Sequence, residues 1–163
     1  MCAFAGAALL PVLVGCGNSS PKDSSDWTYN PPEEFKQQDK QKNGATVFLG
    51  PADEGFTANL QVKAGSNPND NAQKIGEDTL AKFKQGSDVT VKEQEPYALA
   101  DSDGYTWMIT KKMPSGVVAA ERQFVVVKNK IVVLFTLASS EKSMEKWDQV
   151  LADSLKSFKW GRQ

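Results

Sequence analysis

Two apolar runs near the C-terminal end of the chain restrict the fold most strongly. They span Phe124–Val127 and Ile131–Leu137 and are rich in Val, Leu and Phe on both faces. A strand with apolar side chains on both faces has to be covered on both faces, so the two runs predict central strands between two layers. A tight turn after Lys128, through Asn129, would join them.

The other strands are predicted from alternation and from β-forming residues. In Phe56–Ala64, apolar and polar side chains alternate strictly, which indicates one buried and one solvated face. The turn GPADEG joins this run to a short strand, Gly44–Gly50, as a hairpin. The remaining predicted strands are Val89–Leu99, Tyr105–Met113 and Val117–Val127, with turns at Asp101–Gly104 and Pro114–Gly116, and a short strand within Trp27–Phe35 that Pro31 and Pro32 end.

Two segments change to a helical period. Between residues 67 and 86, apolar side chains recur at three- and four-residue spacing, with Pro68 near the start and Gly86 at the end. A second helix over Glu141–Ser157, N-capped by Ser139 or Ser140, carries one apolar stripe. Its stripe comprises Met144, Trp147, Val150, Leu151 and Leu155, and Ser157–Trp160 follows as a short final strand or a packed tail.

The order of these elements predicts one α+β domain, with a mostly antiparallel β-sheet flanked by two main helices. This layout resembles the Mog1/PsbP-like superfamily and, within it, the small DcrB-like lipoproteins of bacteria. The resemblance spans about Trp27 to Trp160, and it depends on the opening WTYNPPEEF, a first helix after a β-meander, long hairpins, and a last helix closing with SLKSF. It implies an α-β-α sandwich whose relatives mostly act through binding partners, and it brings no catalytic signature.

The N-terminal segment is typical of a targeting signal rather than of a part of the folded domain. Residues 3–14 are apolar and uncharged, a length that fits the apolar region of a secretory signal and is too short to span a membrane. Leu13-Val14-Gly15-Cys16 resembles the lipobox of bacterial lipoproteins, in which signal peptidase cuts before a cysteine whose sulfur carries diacylglycerol. By that resemblance residues 1–15 are a signal peptide and Cys16 is the lipid-attachment residue.

The polar segment after Cys16 fits this interpretation, because its Gly, Ser, Asn and Asp residues cannot build a core. We therefore expect a flexible linker over residues 16–26 and a single domain over 27–163. The resemblance favours the outer membrane in an organism that has one, because Gly17 rather than Asp follows the cysteine. A buried N-terminal helix with an incidental cysteine is the alternative interpretation.

Composition excludes several classes of function. The 163 residues contain no histidine, and the two cysteines, Cys2 and Cys16, both lie in the N-terminal segment. The predicted domain therefore lacks a His-dependent triad, a cysteine nucleophile and a thiolate zinc site, and we expect neither metal nor cofactor. A net charge of −1 and a pI near 5.5 argue against nucleic-acid binding.

The acidic residues give no catalytic pattern. Asp101 and Asp103 begin like a calcium loop, but the later ligands of such a loop do not follow. These two residues, like Asp53 and Glu54, are interpreted as turn residues. An enzyme that uses two carboxylates as acid and base remains the third-ranked hypothesis, and the sequence predicts no catalytic residues.

Arg122 is the candidate ligand-binding residue. It shares a predicted strand face with Phe124 and Val126, and an arginine among apolar neighbours requires a carboxylate partner or an anion. A pairing with Glu121 or another nearby acid is the structural interpretation. A ligand mouth would instead include residues of the facing strand, Met108, Lys111 and Lys112.

Two hypotheses of function lead. The first is a membrane-anchored, non-enzymatic lipoprotein that acts as an accessory or binding domain on another protein of the cell envelope. The second is a lipoprotein that binds or senses a small anionic or apolar molecule near Arg122. A filled core at Arg122 would count against the second hypothesis.

Overall fold

The computed structural model describes residues 26–38, 41, 44–53, 55–67, 71–84 and 88–161. The predicted signal peptide, Cys16 and most of the linker lie outside the described residues, as do Glu54, Pro68 and Gly86. The elements are, in order, β1 (Trp27–Thr28), β2 (Lys36–Gln37), β3 (Thr46–Asp53), β4 (Phe56–Ser66), α1 (Ala72–Lys84), β5 (Val89–Leu99), β6 (Ser102–Lys112), β7 (Val118–Lys128), β8 (Ile131–Ser140), a 3₁₀ turn (Glu141–Ser143), α2 (Met144–Leu155) and β9 (Lys159–Trp160).

A seven-stranded antiparallel sheet forms the middle layer, in the order β2-β3-β4-β8-β7-β6-β5. The two apolar runs lie in β7 and β8, which have paired strands on both sides, so the predicted central strands are confirmed. A separate two-stranded sheet pairs β1 with β9, and Trp27 lies opposite Trp160. Of the two predicted alternatives for Ser157–Trp160, a short final strand or a packed tail, the structure shows the strand.

The two faces of the large sheet are covered by different helices. On the face that we call the α2 face, Phe124 and Val126 belong to a core cluster with Trp147 and Leu151 of α2. On the opposite α1 face, Val125 packs in a second cluster with residues of α1, including Ile75 and Leu80. Successive side chains of β7 thus enter two different cores, and the predicted α+β class with an α-β-α arrangement is confirmed.

One glycine shows how closely α1 approaches the sheet. A Cβ on Gly76 would overlap the ring of Tyr105 and would come within 3.2 Å of Trp107. The backbone of α1 therefore lies directly on these two rings, and the contact requires a residue without a side chain.

The turn between β5 and β6 lies at a different position from the predicted one. β5 and β6 are joined at Ala100 and Asp101, whose φ angles are 49° and 57°. Positive φ at both central residues is typical of a two-residue type I′ turn, which follows the twist of the strands. The predicted turn at Asp101–Gly104 is thus too late, and Asp103 lies in β6. The tight turn through Asn129 is confirmed, with a φ angle of 51°.

Both helices are shorter than predicted. α1 begins at Ala72, and the side chain of Asn71 accepts a hydrogen bond of 2.8 Å from the backbone N–H of Lys74, as an N-cap does. At the second helix, Ser140 caps the 3₁₀ turn by accepting a bond from the Ser143 N–H, so Ser140 is the correct one of the two predicted caps.

Two strand predictions need correction. Within Trp27–Phe35, only Trp27 and Thr28 are a strand, and they pair outside the main sheet. On β4 the face predicted to be solvated is partly buried, because Asn59 is only 4% exposed. Its position opposite Ala138 of β8 places it on the α1 face of the sheet.

Candidate functional site

Arg122 lies on the α2 face, in the middle of the sheet, and is 7% exposed. Its Nη2 atom is 2.6 Å from Oε2 of Glu93 on β5 and 3.1 Å from Oδ2 of Asp148 on α2. The carboxylate partner that an arginine among apolar neighbours requires is therefore present twice. Glu121, the named candidate partner, is not one of the two.

A β-bulge in β5 brings Glu93 to this face. The pairing of β5 with β6 shifts register between Val91, which lies opposite Ile109, and Glu93, which lies opposite Met108. By simple alternation Glu93 would share the α1 face with Val91, but the extra residue turns it to the α2 face. The bulge thus places a carboxylate beside the strand neighbour of Arg122.

The helix supplies the second carboxylate. Asp148 follows Met144 of the buried stripe by four residues, so it lies one turn farther along nearly the same side of α2. Its side chain is 28% exposed, against 54% for that of Glu93. Burial raises the pKa of Asp148, and this effect exceeds the lowering by the Arg122 guanidinium, while the nearby Glu93 raises the pKa further. A close ion pair thus does not offset the cost of burying this carboxylate.

The charges and contacts of this cluster restrict what it can bind. Arg122, Glu93 and Asp148 together carry one positive and two negative charges, so an anion at Arg122 would have to displace a carboxylate. Two buried atoms of the cluster, Nε of Arg122 and Oδ1 of Asp148, have no hydrogen-bond partner among the residues that the structure describes. They are the donor and the acceptor that remain for a ligand or a water molecule. The ligand-binding role of Arg122 stays a prediction.

The other residues predicted for a ligand mouth do not gather at Arg122. Met108 lies directly opposite Arg122 and packs against the α2-face core. Lys112 is four residues farther along β6, roughly 13 Å away at the usual rise per strand residue. Lys111 is paired with Ala119, which has the same parity on β7 as Glu121, and so it lies on the α1 face.

Glu121, the residue before Arg122, faces the opposite core. Its side chain is 8% exposed, and Nε2 of Gln123 donates a hydrogen bond to its Oε1. Burial raises the pKa of Glu121 to about 7, and the bond from Gln123 acts in the opposite direction with less effect. Glu121 was predicted only as a possible partner of Arg122, although its position within the central strand β7 was a signal that its carboxyl would be buried.

A cleft of about 590 Å³ lies at the end of the sheet where β6 turns into β7. Its lining combines the turn, the start of β7 and the 3₁₀ turn before α2, and comprises Ser115, Gly116, Val117, Val118, Ser140, Glu141 and Lys142. At its rim, Lys92 pairs with Glu141 at 3.4 Å. Arg122 is four residues beyond Val118, the last β7 residue of this lining, which is roughly 13 Å along the strand.

Hydroxyl groups next to the cleft form a structural contact. The hydroxyl of Ser140 donates to Oγ of Ser143 at 3.0 Å, and Oγ of Ser143 donates to Oδ2 of Asp53 at 2.6 Å. The carboxylate of Asp53 thus ties the end of β3 to the start of the second helix. The interpretation of Asp53 as a purely local turn residue was incomplete, since its partner lies 90 residues away.

The described part of the chain contains neither a metal-binding group of side chains nor a membrane-spanning helix. No group of three or more His, Cys, Asp and Glu side chains there could hold a metal ion. No helix among the same residues is long and apolar enough to cross a membrane.

Comparison with known proteins gives structural matches only. No protein-family model and no curated protein matches the sequence. Among solved structures, LpqN of Mycobacterium tuberculosis, involved in cell envelope biogenesis, has a TM-score of 0.65 and 10% identity, and the match covers 83% of each chain. CyanoP, the cyanobacterial PsbP of Synechocystis, has a TM-score of 0.62 and 17% identity over 91% of this chain and 98% of its own.

A third similar structure is the Ran-binding protein Mog1p of Saccharomyces cerevisiae, with a TM-score of 0.54 and 9% identity over 88% of this chain and 95% of its own. At these identities the likeness concerns the fold and not the activity. The two helices, the antiparallel sheet and these neighbours together show that the chain has a Mog1/PsbP-like fold.

Proposed function

We propose that this chain is a membrane-anchored, non-enzymatic lipoprotein that acts as an accessory or binding domain in the cell envelope. The observation that carries the proposal is the likeness to LpqN, which covers 83% of both chains and whose own role is in cell envelope biogenesis. The likeness to CyanoP, a PsbP protein, supports the same accessory role.

The anchor in this proposal is a diacylglycerol group on Cys16. Its support is the lipobox-like sequence Leu13–Cys16 and the polar residues that separate it from β1. Each buried CH₂ group contributes about 0.8 kcal/mol to membrane binding, and stable anchoring takes two acyl chains. A diacylglyceryl cysteine supplies both chains, and the linker lets the domain reach a partner near the membrane surface.

Crosslinking in living cells, with the tagged protein recovered from membranes and its companions identified by mass spectrometry, tests this proposal. Cys16→Ser removes the acylated sulfur, so we expect the variant to leave the membrane fraction with its fold intact. Cys2→Ser is the matched control, because it removes the other cysteine, which lies outside the lipobox, and leaves the anchor unchanged.

The expected result is one recurrent envelope protein that is recovered with the wild type and with Cys2→Ser and is lost with Cys16→Ser. A Cys16→Ser protein that stays in the membrane fraction would contradict the anchor. Anchored protein without any companion above background would contradict the accessory role.

A second candidate function is the binding or sensing of a small molecule at Arg122. The unpartnered Nε of Arg122 and Oδ1 of Asp148 favour it, because a ligand with one acceptor and one donor would satisfy both atoms. A decrease of at least tenfold in affinity for such a ligand in Arg122→Met, with affinity retained in Glu95→Gln on the edge strand β5, would support it. Equal affinity of both variants would exclude this site.

A further inference from the structure

A second polar cluster, on the α1 face, has more unpartnered atoms than the cluster at Arg122. Within the described ranges of the chain, Oε1 of Gln123, Oδ1 of Asn59 and Nε1 of Trp107 are all buried without a hydrogen-bond partner. The exposed fractions of the three side chains are 0%, 4% and 0%. Buried polar atoms are nearly always paired in native proteins, so three unpartnered atoms on one face of the sheet are groups that a ligand or a water molecule would satisfy.

The strand register places the acceptors around one small residue. Glu121 of β7, Ala138 of β8 and Asn59 of β4 lie opposite one another in a single row across the sheet. Glu121 and Asn59 are therefore about 9.6 Å apart at the backbone, which is two strand spacings. Ala138, which lies between them, carries only a methyl group and is itself 4% exposed. Gln123 is in the adjacent row, two residues from Glu121.

The charge of this cluster is not balanced. Within the described part of the chain no cation pairs with Glu121, and its hydrogen-bond partner is the neutral amide of Gln123. The carboxylate of Glu121 and the free amide oxygens of Gln123 and Asn59 are three acceptors on one face. A primary ammonium group has three N–H donors, no acceptor and one positive charge, so it matches this set in number and in charge.

Leu49 is the solvent-exposed neighbour of this row. It is paired with Asn59 across β3 and β4, on the same face, and it is a large apolar side chain that is 37% exposed. A ligand whose ammonium group reaches Asn59 and Glu121 would lay a short carbon chain against Leu49.

We propose that the α1 face binds a small primary alkylamine, with its ammonium group held by the carboxylate of Glu121 and the amide oxygens of Asn59 and Gln123. The site is separate from the lipid anchor and from Arg122, so it stands or falls independently of the proposed function.

The test is thermal unfolding of the purified domain at about pH 8.5, where the amine is protonated and the carboxyl is ionised. The probes are methylammonium and ethanolamine, with tetramethylammonium and sodium chloride at equal concentration as cations that lack N–H donors. At saturation we expect methylammonium or ethanolamine to raise Tm by about 3 °C in the wild type, above any effect of the two control salts.

Glu121→Gln keeps the shape of the site and removes its charge, so we expect it to abolish the amine-specific rise in Tm. Asn59→Leu removes one acceptor and should increase the amine concentration at half-effect about tenfold. Asp78→Asn, an equal loss of charge on the exposed side of α1, is the matched control and should respond like the wild type. An equal rise with sodium or tetramethylammonium, or an unchanged rise in Glu121→Gln, would overturn the proposal, as would no rise at all.

Discussion

Glu121 and Arg122 are neighbours in sequence and are buried to the same degree, yet their charges have different partners on the two faces of the sheet. On the α2 face, Arg122 is contacted by carboxylates from a strand and from a helix. On the α1 face, Glu121 has one neutral hydrogen-bond partner. Since adjacent strand residues point to opposite faces, opposite charges at adjacent positions cannot neutralise each other in a sheet.

The comparison separates a structural charge from one that is available for binding. The arginine is held by groups that the fold itself supplies, from β5 and α2, so its charge is compensated within the chain. Among the residues that the structure describes, no cation pairs with the glutamate, and its environment instead favours the protonated form. A buried acid that has a hydrogen-bond partner but no described countercharge is the stronger indication of a site.

The largest effect is expected from Arg122→Met, which keeps much of the side-chain volume but leaves Glu93 and Asp148 without their cation. Removing one member of a buried ion pair costs about 4 kcal/mol, and we expect a loss of that order in the free energy of unfolding. Urea denaturation at neutral pH measures it. Arg122→Met combined with Asp148→Leu should recover part of this loss. Exposed ion pairs contribute only about 0.5–1 kcal/mol. A free energy of unfolding for Arg122→Met within about 1 kcal/mol of the wild-type value would therefore contradict the interpretation that the charge of Arg122 is compensated within the fold.

A smaller effect of opposite sign is expected at Glu121. Folding raises its pKa from the ordinary value of 4.5 to about 7, so as the pH rises the unfolded chain loses this proton first. The free energy of unfolding therefore falls by about 3 kcal/mol in total as the pH rises between these two values. Above them Glu121 contributes no further change with pH. Glu121→Gln should remove that slope and be more stable than the wild type at pH near 8 by a similar amount.

Urea denaturation at a series of pH values checks this prediction. Glu141→Gln serves as the control, because the same change is made at a half-exposed carboxylate on the rim of the cleft. If the slope persists in Glu121→Gln, the group responsible lies elsewhere.

The smallest effects are expected from the two carboxylates that share Arg122. Glu93→Gln and Asp148→Asn should each cost less than about 1 kcal/mol, because the other carboxylate remains and because burial already disfavours ionised Asp148. The double variant should cost clearly more than the sum, since it strands the buried guanidinium. A double-mutant cycle measures this coupling, and strict additivity would show that the two carboxylates act separately.

The sequence was sufficient for the layers of the fold and for the position of Arg122. The apolar runs in β7 and β8 predict central strands because covering both faces leaves no other arrangement. The same pattern places Arg122 among apolar residues and so predicts that it needs a partner. The pattern could not identify Glu93 as the partner of Arg122, because one bulge residue in β5 reverses the face of every later side chain in that strand.

Other parts of the structure depend on contacts that are remote in sequence. β1 pairs with β9 through Trp27 and Trp160, at opposite ends of the domain, and no local pattern carries that information. Asn59 was predicted to be solvated because polar residues alternate in β4, but it lies in a buried row with Ala138 and Glu121. Alternation predicts which residues share a face, and it does not predict whether that face is covered.

The most direct test of the difference between the two faces is an NMR titration of the glutamate carboxyl carbons in the ligand-free domain, with the Glu121 signal assigned by its loss in Glu121→Gln. The account predicts a pKa of about 7 for Glu121. A pKa at or below its ordinary value of 4.5 would mean that the carboxyl is solvated or paired with a cation, and would contradict the uncompensated charge on the α1 face.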